Sequence, residues 1–335
     1  MHSNYLITMV LEKRGYFYHE TEIFGDVEIR NSKHDFKTEV AIFRKSADLV
    51  FSGKLTLSEY DFSNRITTIV NAESYDDAFT LAIGKFIPVL DMKARELSLA
   101  NINISGIGLI RNLHTGEVKP FCDKENITSG IFRRSFSDIQ RYDGINYILS
   151  KVKSPVNEDT LASRYVRALH WAHNSRDEKN KQIKILFGYF CLEALFKENE
   201  NDNISGMVRC FIGFPGGKQY KLVDENIISQ LKENQDYLNL EKIIPILLDE
   251  VRIFRNNTVH SGFRLIDLDN KKLNNLNQLV MLAIARCLSA VEYAIVSENV
   301  ETLKDFKDKS AYIFDKTIRI GDVISTIVNS LKYDN

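Results

Sequence analysis

Hydrophobic and polar positions follow different patterns in the two halves of the chain. Up to about residue 150, short β-prone segments such as YLITMV, EVAIFRKSADLVF, RITTIV and ISGIGLI are separated by polar or glycine-containing turns. Later, apolar residues recur at helical spacing almost to the end. The pattern predicts the α+β class, with a mixed, β-rich domain over 1–150 followed by an all-α helical bundle, and the chain ends in a predicted helical extension over 299–335.

One helix is predicted within the β-rich half. Ser74 precedes the helical pattern of DDAFTLAIGKFIPVLDMKAREL, and Asp77 follows it by three residues, near the positive end of the helix dipole. Pro88 lies inside this pattern and should kink or split the helix. The histidines of this half are isolated from one another in sequence, so we expect recognition or regulation here rather than catalysis.

The second half carries four helical stripes, which favour an up-and-down bundle. The first stripe leaves Arg164, Arg167 and His170 off its apolar positions, which predicts a basic outer face. The third stripe runs from Lys242 to His260 and is preceded by GMVRCFIGFPGGKQYK. The glycines of that segment predict a loop, and their spacing is not that of a Walker sequence.

The second stripe, KILFGYFCLEALF, is apolar nearly all round, which is typical of a helix at the centre of a bundle. It contains Glu193. A carboxylate buried there costs several kcal/mol unless it is paired or hydrogen-bonded. We therefore expect Glu193 to have a cationic or donor partner.

Composition and charge narrow the class of protein only slightly. The 335 residues are 44% hydrophobic and 27% charged, as in soluble globular proteins, and the formal net charge is -1. A nucleic-acid partner would therefore need a local basic patch. Arg286 and Glu292 interrupt the most apolar run, LVMLAIARCLSAVEYAIV, and the start has no signal-peptide pattern. We expect a cytoplasmic protein with no membrane partner.

Cysteine and histidine spacing gives little support to a metal site. No C-x-x-C pair is present, which predicts free buried thiols at Cys122, Cys191, Cys210 and Cys287. A metal hydrolase using His170 and His173 with Glu193 is one alternative, but H-x-x-H does not place two ligands on one helical face. We predict neither a metal nor a cofactor.

The segment RIFRNNTVHSGFR combines three arginines, two asparagines and a histidine without an acidic residue. Arg252, Asn256 and His260 recur every four residues on one helix face. Arg255 lies five residues before His260, about 140° around an ideal helix. Gly262 is a candidate helix terminator, which would place His260 in the last turn, where backbone carbonyls favour its protonated form.

Histidine and arginine can together cleave RNA without a metal. A base takes the proton of the ribose 2′-hydroxyl, a cation holds the charge on the phosphate, and an acid protonates the leaving oxygen. In a purely structural alternative, Arg255 and Asn256 cap carbonyls or pair with Glu193, and His260 stabilises the helix end. The helical spacing of these residues is compatible with both the catalytic and the structural interpretation.

The segment RNNTVH matches R-N-x-x-x-H and resembles the signature of the HEPN superfamily. The order RALHWAH, LEALF and RNNTVH, followed by a glycine, is similar to the Apea-like HEPN branch over roughly 158–298. The resemblance implies a HEPN-type helical bundle that dimerises, so that the Arg and His elements of two subunits form one composite, metal-independent ribonuclease site.

By position in the motif, Arg255 would bind the scissile phosphate, His260 would transfer a proton and Asn256 would orient one of them. Glu193 matches the carboxylate of LEALF and would set the rotamer of Arg255. We expect further RNA contacts from Arg252, Arg264 and Arg167.

The resemblance also implies a biological setting. Many bacterial relatives are toxins or antiviral defence effectors, which suggests cleavage of tRNA or another RNA, with an antitoxin or sensor as partner. The alternative is a non-catalytic HEPN module that binds RNA or nucleotide, or dimerises, and passes a signal to or from the N-terminal domain.

Overall fold

The computed structural model describes residues 2–14, 21–51, 63–96, 104–122, 142–152, 159–199, 202–261 and 270–331. The chain divides into two compact units, Met1–Leu149 and Ser150–Asn335. The first unit is built on an antiparallel β-sheet and the second is helical. The predicted α+β class, with strands before helices, is therefore confirmed.

In the part of the first unit that the structure describes, six strands form one sheet. They are β1 (Ser3–Arg14), β2 (Glu22–Phe24), β3 (Val27–Asn31), β4 (Ser63–Ala72), β5 (Ile104–Asn112) and β6 (Val118–Cys122), in the spatial order β2-β3-β4-β1-β5-β6. The long strand β1 pairs antiparallel with β4 on one side and β5 on the other. The β-prone patterns predicted β1, β4 and β5. The short strands β2, β3 and β6 were not predicted, although Val27 and Ile29 of β3 alternate with Glu28 and Arg30.

The β-prone segment EVAIFRKSADLVF is a helix, so its prediction as a strand was wrong. Helix α1 spans Lys37–Phe51. Glu39 and Phe43, one turn apart, are both buried, and Phe43 packs against Val10 and Ile107 of the sheet. Packing at helical spacing overrides the β-branched composition of the segment.

Helix α2 (Tyr75–Glu96) begins where the sequence predicts. The Asp77 amide donates to Ser74 Oγ at 3.1 Å, which caps the helix. The helix continues through Pro88, so the predicted split does not occur. Phe86 and Val89, on either side of the proline, are both buried, and this packing holds the helix together.

Helix α3 (Tyr142–Lys151) lies in the first unit up to Leu149 and is joined to the turn between β2 and β3. The Asn146 side chain accepts from the Gly25 amide at 3.0 Å and donates to the Ile23 carbonyl at 3.1 Å. Gly25 has a φ of 62°, which favours glycine at this turn.

Four long helices of the second unit coincide with the four predicted stripes. They are α4 (Leu161–Asp177), α5 (Lys181–Phe196), α9 (Gln235–Ser261) and α10 (Asn270–Val296). Shorter helices complete the unit: α6 (Ser205–Phe211), α7 (Gly217–Tyr220), α8 (Glu225–Lys232), α11 (Leu303–Asp308), α12 (Ser310–Thr317), α13 (Ile320–Asp322), a π-helix (Val323–Val328) and α14 (Asn329–Leu331). Helix α5 packs against α4, α9 and α10, and residues 299–331 belong to the same unit.

Helix α9 begins at Gln235, seven residues before the predicted start at Lys242, and it contains Pro245. A proline has no N–H to bond the carbonyl four residues earlier. Here the Arg209 guanidinium donates to that carbonyl, of Glu241, at 3.5 Å. Arg209 lies on α6. The segment predicted as a glycine loop is therefore helical in its first part, in α6, and again near its end, in α7.

Helix α10 contains the most apolar part of the described chain. It is long and apolar enough to cross a membrane, with a mean hydropathy of 1.9 over Lys272–Val296. However, 56% of its 18-residue apolar window is buried within the fold, and the core helix of a soluble protein passes the same test of length and hydropathy. Cys191, Cys210 and Cys287 are buried and form no disulfide among the described residues, as predicted, and the side chain of Cys122 lies outside the described residues.

Candidate functional site

The last turns of α9 contain RIFRNNTVH and end at Ser261, so His260 occupies the final turn as predicted. The side chain of His260 and all of Gly262 and Arg264 lie outside the described residues. Consequently the structure assigns no contact to His260, which was expected to transfer a proton, or to Arg264, which was one of the three expected RNA contacts.

Arg255 continues the buried stripe of α9. Ile244, Leu248 and Val251, which lie eleven, seven and four residues before it, are all buried. Helical geometry therefore directs Arg255 towards the interior of the unit, whereas the position of His260 is turned about 140° away. Arg255 and His260 thus belong to different faces of one helix end.

The guanidinium of Arg255 is held by two side chains. Its Nε and Nη2 lie 3.2 and 3.1 Å from Glu193 Oε2, and its Nη1 donates to Asn256 Oδ1 at 3.2 Å. Its central carbon lies 5.8 Å from the ring centre of Phe190, within the range of a cation–π contact. The predicted cationic partner of Glu193 is thus Arg255, which was also the pairing of the structural alternative.

A second cation, Lys197, was missed by sequence reasoning. Its Nζ lies 2.7 Å from Glu193 Oε1, so each oxygen of this carboxylate holds one cation. Lys197 follows Glu193 by four residues and is the C-cap residue directly after α5. This spacing of one helical turn could have predicted the ion pair between Glu193 and Lys197 from the sequence.

Arg164 corrects the prediction of a basic outer face on α4. The residue is buried, and its Nη1 donates to the carbonyls of Lys197 at 2.7 Å and Ala194 at 3.4 Å. The last carbonyls of a helix have no partner within the helix, so these hydrogen bonds from Arg164 satisfy two of them at the C-terminal end of α5. The positive charge also complements the helix dipole. Arg164 thereby fixes the backbone that carries Lys197.

The side chains of the other two expected RNA contacts, Arg167 and Arg252, are 49% and 40% exposed, and both already have acidic neighbours. Arg167 pairs with Asp159, which also pairs with Arg164. The Nε and Nη2 of Arg252 lie 2.9 and 2.6 Å from Asp249 Oδ1. Exposed pairs of this kind are weak and can be exchanged for a phosphate.

Tyr189 is a further member of the site that the sequence did not reveal. It precedes Glu193 by one turn of α5 and is buried. Burial, reinforced by the charge of Glu193, raises the pKa of Tyr189 to about 12, although Arg252 and Arg255 act in the opposite direction. The phenol therefore stays neutral at physiological pH.

The residues of the metal-hydrolase alternative have other partners. His173 pairs with Asp177 at 3.3 Å, His170 lies 3.2 Å from Asn174, and both oxygens of Glu193 are taken by cations. Among the described residues, no group of three or more His, Cys, Asp or Glu side chains is arranged to hold a metal ion.

Comparisons with family models, with curated proteins and with solved structures returned no match. The resemblance to the HEPN superfamily therefore rests on the three motifs of the sequence.

Proposed function

We propose that the second unit is a metal-independent endoribonuclease of HEPN type. The main observation in support of this proposal is that the guanidinium of Arg255 is held in place beside Asn256 near the end of α9. A guanidinium has five N–H donors, and the contacts to Glu193 and Asn256 occupy three of them. Among the described residues, two donors remain for a phosphate oxygen, and the side chain of Arg255 is 20% exposed.

The cleavage step needs only groups of the protein and the RNA. His260 takes the proton of the 2′-hydroxyl, whose oxygen attacks the adjacent phosphorus, while Arg255 stabilises the charge on the phosphate oxygens. The bond to the 5′-oxygen breaks, and an acid protonates this leaving oxygen. The products are a 2′,3′-cyclic phosphate and a 5′-hydroxyl.

The acid in this scheme comes from a second copy of the chain. One chain supplies one His260, which cannot be base and acid in the same step, and a homodimer supplies two. Sedimentation at micromolar concentration should give a dimer. A strict monomer that still cleaves RNA would contradict the composite site but not the nuclease activity.

One experiment tests the activity itself. Purified protein is mixed with total RNA, with and without EDTA, and the ends of the products are mapped. We expect cleavage in EDTA with cyclic phosphate and 5′-hydroxyl ends. Cleavage that requires Mg²⁺ or leaves 5′-phosphates would rule out the mechanism. By analogy with HEPN toxins, we propose tRNA as the first substrate to test and an antitoxin or sensor as the partner to seek.

The second candidate is a non-catalytic module that binds RNA or nucleotide, or dimerises. It is favoured by the inward direction of Arg255 and its ion pair with Glu193, since such a pair also serves as a clamp between α5 and α9. RNA binding without cleavage under all conditions would support this candidate.

A further inference from the structure

Aromatic side chains from α4 and α5 form a partly exposed group beside Arg255. The ring of Trp171 lies 5.6 Å from Phe187 and 5.0 Å from Phe190, the latter edge to face. All three rings are partly exposed to solvent. We call Trp171, Phe187 and Phe190 the aromatic platform.

The aromatic platform is continuous with the cation cluster. Phe190 contacts the guanidinium of Arg255, which shares Glu193 with Lys197. At the other end of the platform, the exposed ring of His170 lies 6.0 Å from that of Trp171. The flat apolar rings therefore lie directly beside a site that has more cations than carboxylates.

This combination fits one class of ligand. A purely apolar partner would satisfy the rings but leave the cations without counter-charge. A duplex would offer phosphates, but its bases are stacked on one another and expose no ring face. An unpaired strand offers both phosphates and free base faces, and aromatic side chains bind such bases by stacking.

We propose that the aromatic platform stacks unpaired bases of single-stranded RNA next to the phosphate held by Arg255. The position of that phosphate rests on the proposed function, whereas stacking itself does not require cleavage. Specificity for unpaired RNA then arises from Trp171 and Phe190, because the backbone contacts alone do not distinguish single strands from duplexes.

Trp171 is the single tryptophan of the chain, so its fluorescence reports on the aromatic platform alone. The His260→Ala variant is titrated with a single-stranded RNA oligonucleotide, with the same sequence as a duplex, and with an abasic ribose-phosphate chain of equal length. We expect saturable quenching by the single strand only. Equal quenching by all three, or none by the single strand, would overturn the proposal.

A second measurement uses the anisotropy of labelled single-stranded RNA. Trp171→Leu should weaken binding by about 5- to 150-fold, the effect of losing one stacked base. Trp171→Phe should retain most of the affinity, because it keeps a ring. Tyr312→Leu, at an exposed tyrosine of α12, is the matched control and should not change the affinity. If Trp171→Leu does not fold, the fluorescence quenching and the affinity of Trp171→Phe for single-stranded RNA still test the stacking proposal.

The outcomes separate this proposal from the nuclease proposal. Quenching by single strands without cleavage in the wild type would support stacking and contradict the nuclease. Cleavage with unchanged affinity in a folded Trp171→Leu variant would support the nuclease and overturn stacking. A change in Trp171 emission with protein concentration alone would show that a second copy covers the rings, which also overturns the proposal.

Discussion

Each unit contains a cluster of cations and carboxylates, and the two clusters differ in burial and balance. The sheet cluster of the first unit consists of Arg30, Arg65, Asp35 and Glu39. Arg65 Nη2 lies 2.8 Å from Asp35 Oδ2, and Arg30 Nη2 lies 3.0 Å from Glu39 Oε2. The four side chains are between 1% and 12% exposed. Two cations face two buried carboxylates, and the more exposed Glu28 also lies 3.9 Å from Arg30, so this cluster has no surplus of cations.

The helical cluster of the second unit consists of Arg255, Lys197 and Glu193. Its side chains are between 13% and 22% exposed, and two cations share one carboxylate. An incoming anion can therefore approach the surplus charge without first displacing a carboxylate. The comparison indicates that the sheet cluster maintains the fold, whereas the helical cluster is suited to a ligand.

The largest expected effects are on RNA cleavage. His260→Ala should reduce the rate by about 10²- to 10⁴-fold through loss of proton transfer, and Arg255→Ala by about 10²- to 10³-fold through loss of charge stabilisation. Single-turnover cleavage assays measure both.

The stability of these two variants should change little. The free energy of unfolding should fall by no more than about 2 kcal/mol, because Lys197 still neutralises Glu193 when Arg255 is removed. Cleavage by His260→Ala at the wild-type rate would contradict the mechanism. A large loss of stability would instead favour the structural alternative.

The next prediction compares how much the loss of one carboxylate from each cluster lowers the free energy of unfolding. Asp35→Asn removes a carboxylate from beside the buried guanidinium of Arg65 and should lower the free energy of unfolding by about 3 to 5 kcal/mol. The matched change Glu193→Gln should cost less than about 2 kcal/mol, since its cations can be hydrated. Urea unfolding followed by circular dichroism gives both values, and equal losses would contradict the comparison.

The pattern of the sequence predicted the fold class and the long helices, because both depend on the period of the apolar residues. It failed for α1, where β-branched residues occupy a helix that packs on the sheet. It also misplaced Arg164, although this residue follows Leu161 by three positions and so belongs to the buried stripe.

The candidate site was predictable in part. A carboxylate in an all-apolar helix requires a cation, which led to the pairing of Glu193. Tyr189 and Lys197 lie one turn before and one turn after Glu193 and were accessible to the same reasoning. The aromatic platform was not, because the contact between Trp171 and Phe190 joins two helices and exists only through tertiary packing.

A smaller effect concerns alkaline pH. The pKa of Tyr189 is about 12 in the folded protein, against 10.0 for an unperturbed tyrosine, so the folded state holds this proton more tightly than the unfolded state. Stability from this group is complete below pH 10 and is lost as the pH rises to 12. Relative to Tyr189→Phe, the wild type should lose up to about 1.4 kcal/mol per pH unit in this window. Urea unfolding at pH 8 and pH 11 measures the difference, and a difference that does not change with pH would contradict the burial of the phenol.

The smallest change in stability is expected for Lys197→Met. This variant therefore best distinguishes a role of Lys197 in RNA binding from a role in folding. Its pair with Glu193 is a partly exposed pair one turn apart, so its loss should cost only about 0.5 kcal/mol. If Lys197 contacts a phosphate beside Arg255, the slope of log affinity against log salt for single-stranded RNA should decrease by about 0.7. Lys316→Met, which removes an exposed lysine of α12 that lies over Tyr312, is the matched control and should leave the slope unchanged. Equal slopes in all three proteins would show that Lys197 only neutralises Glu193, and the helical cluster would then offer Arg255 alone to the RNA.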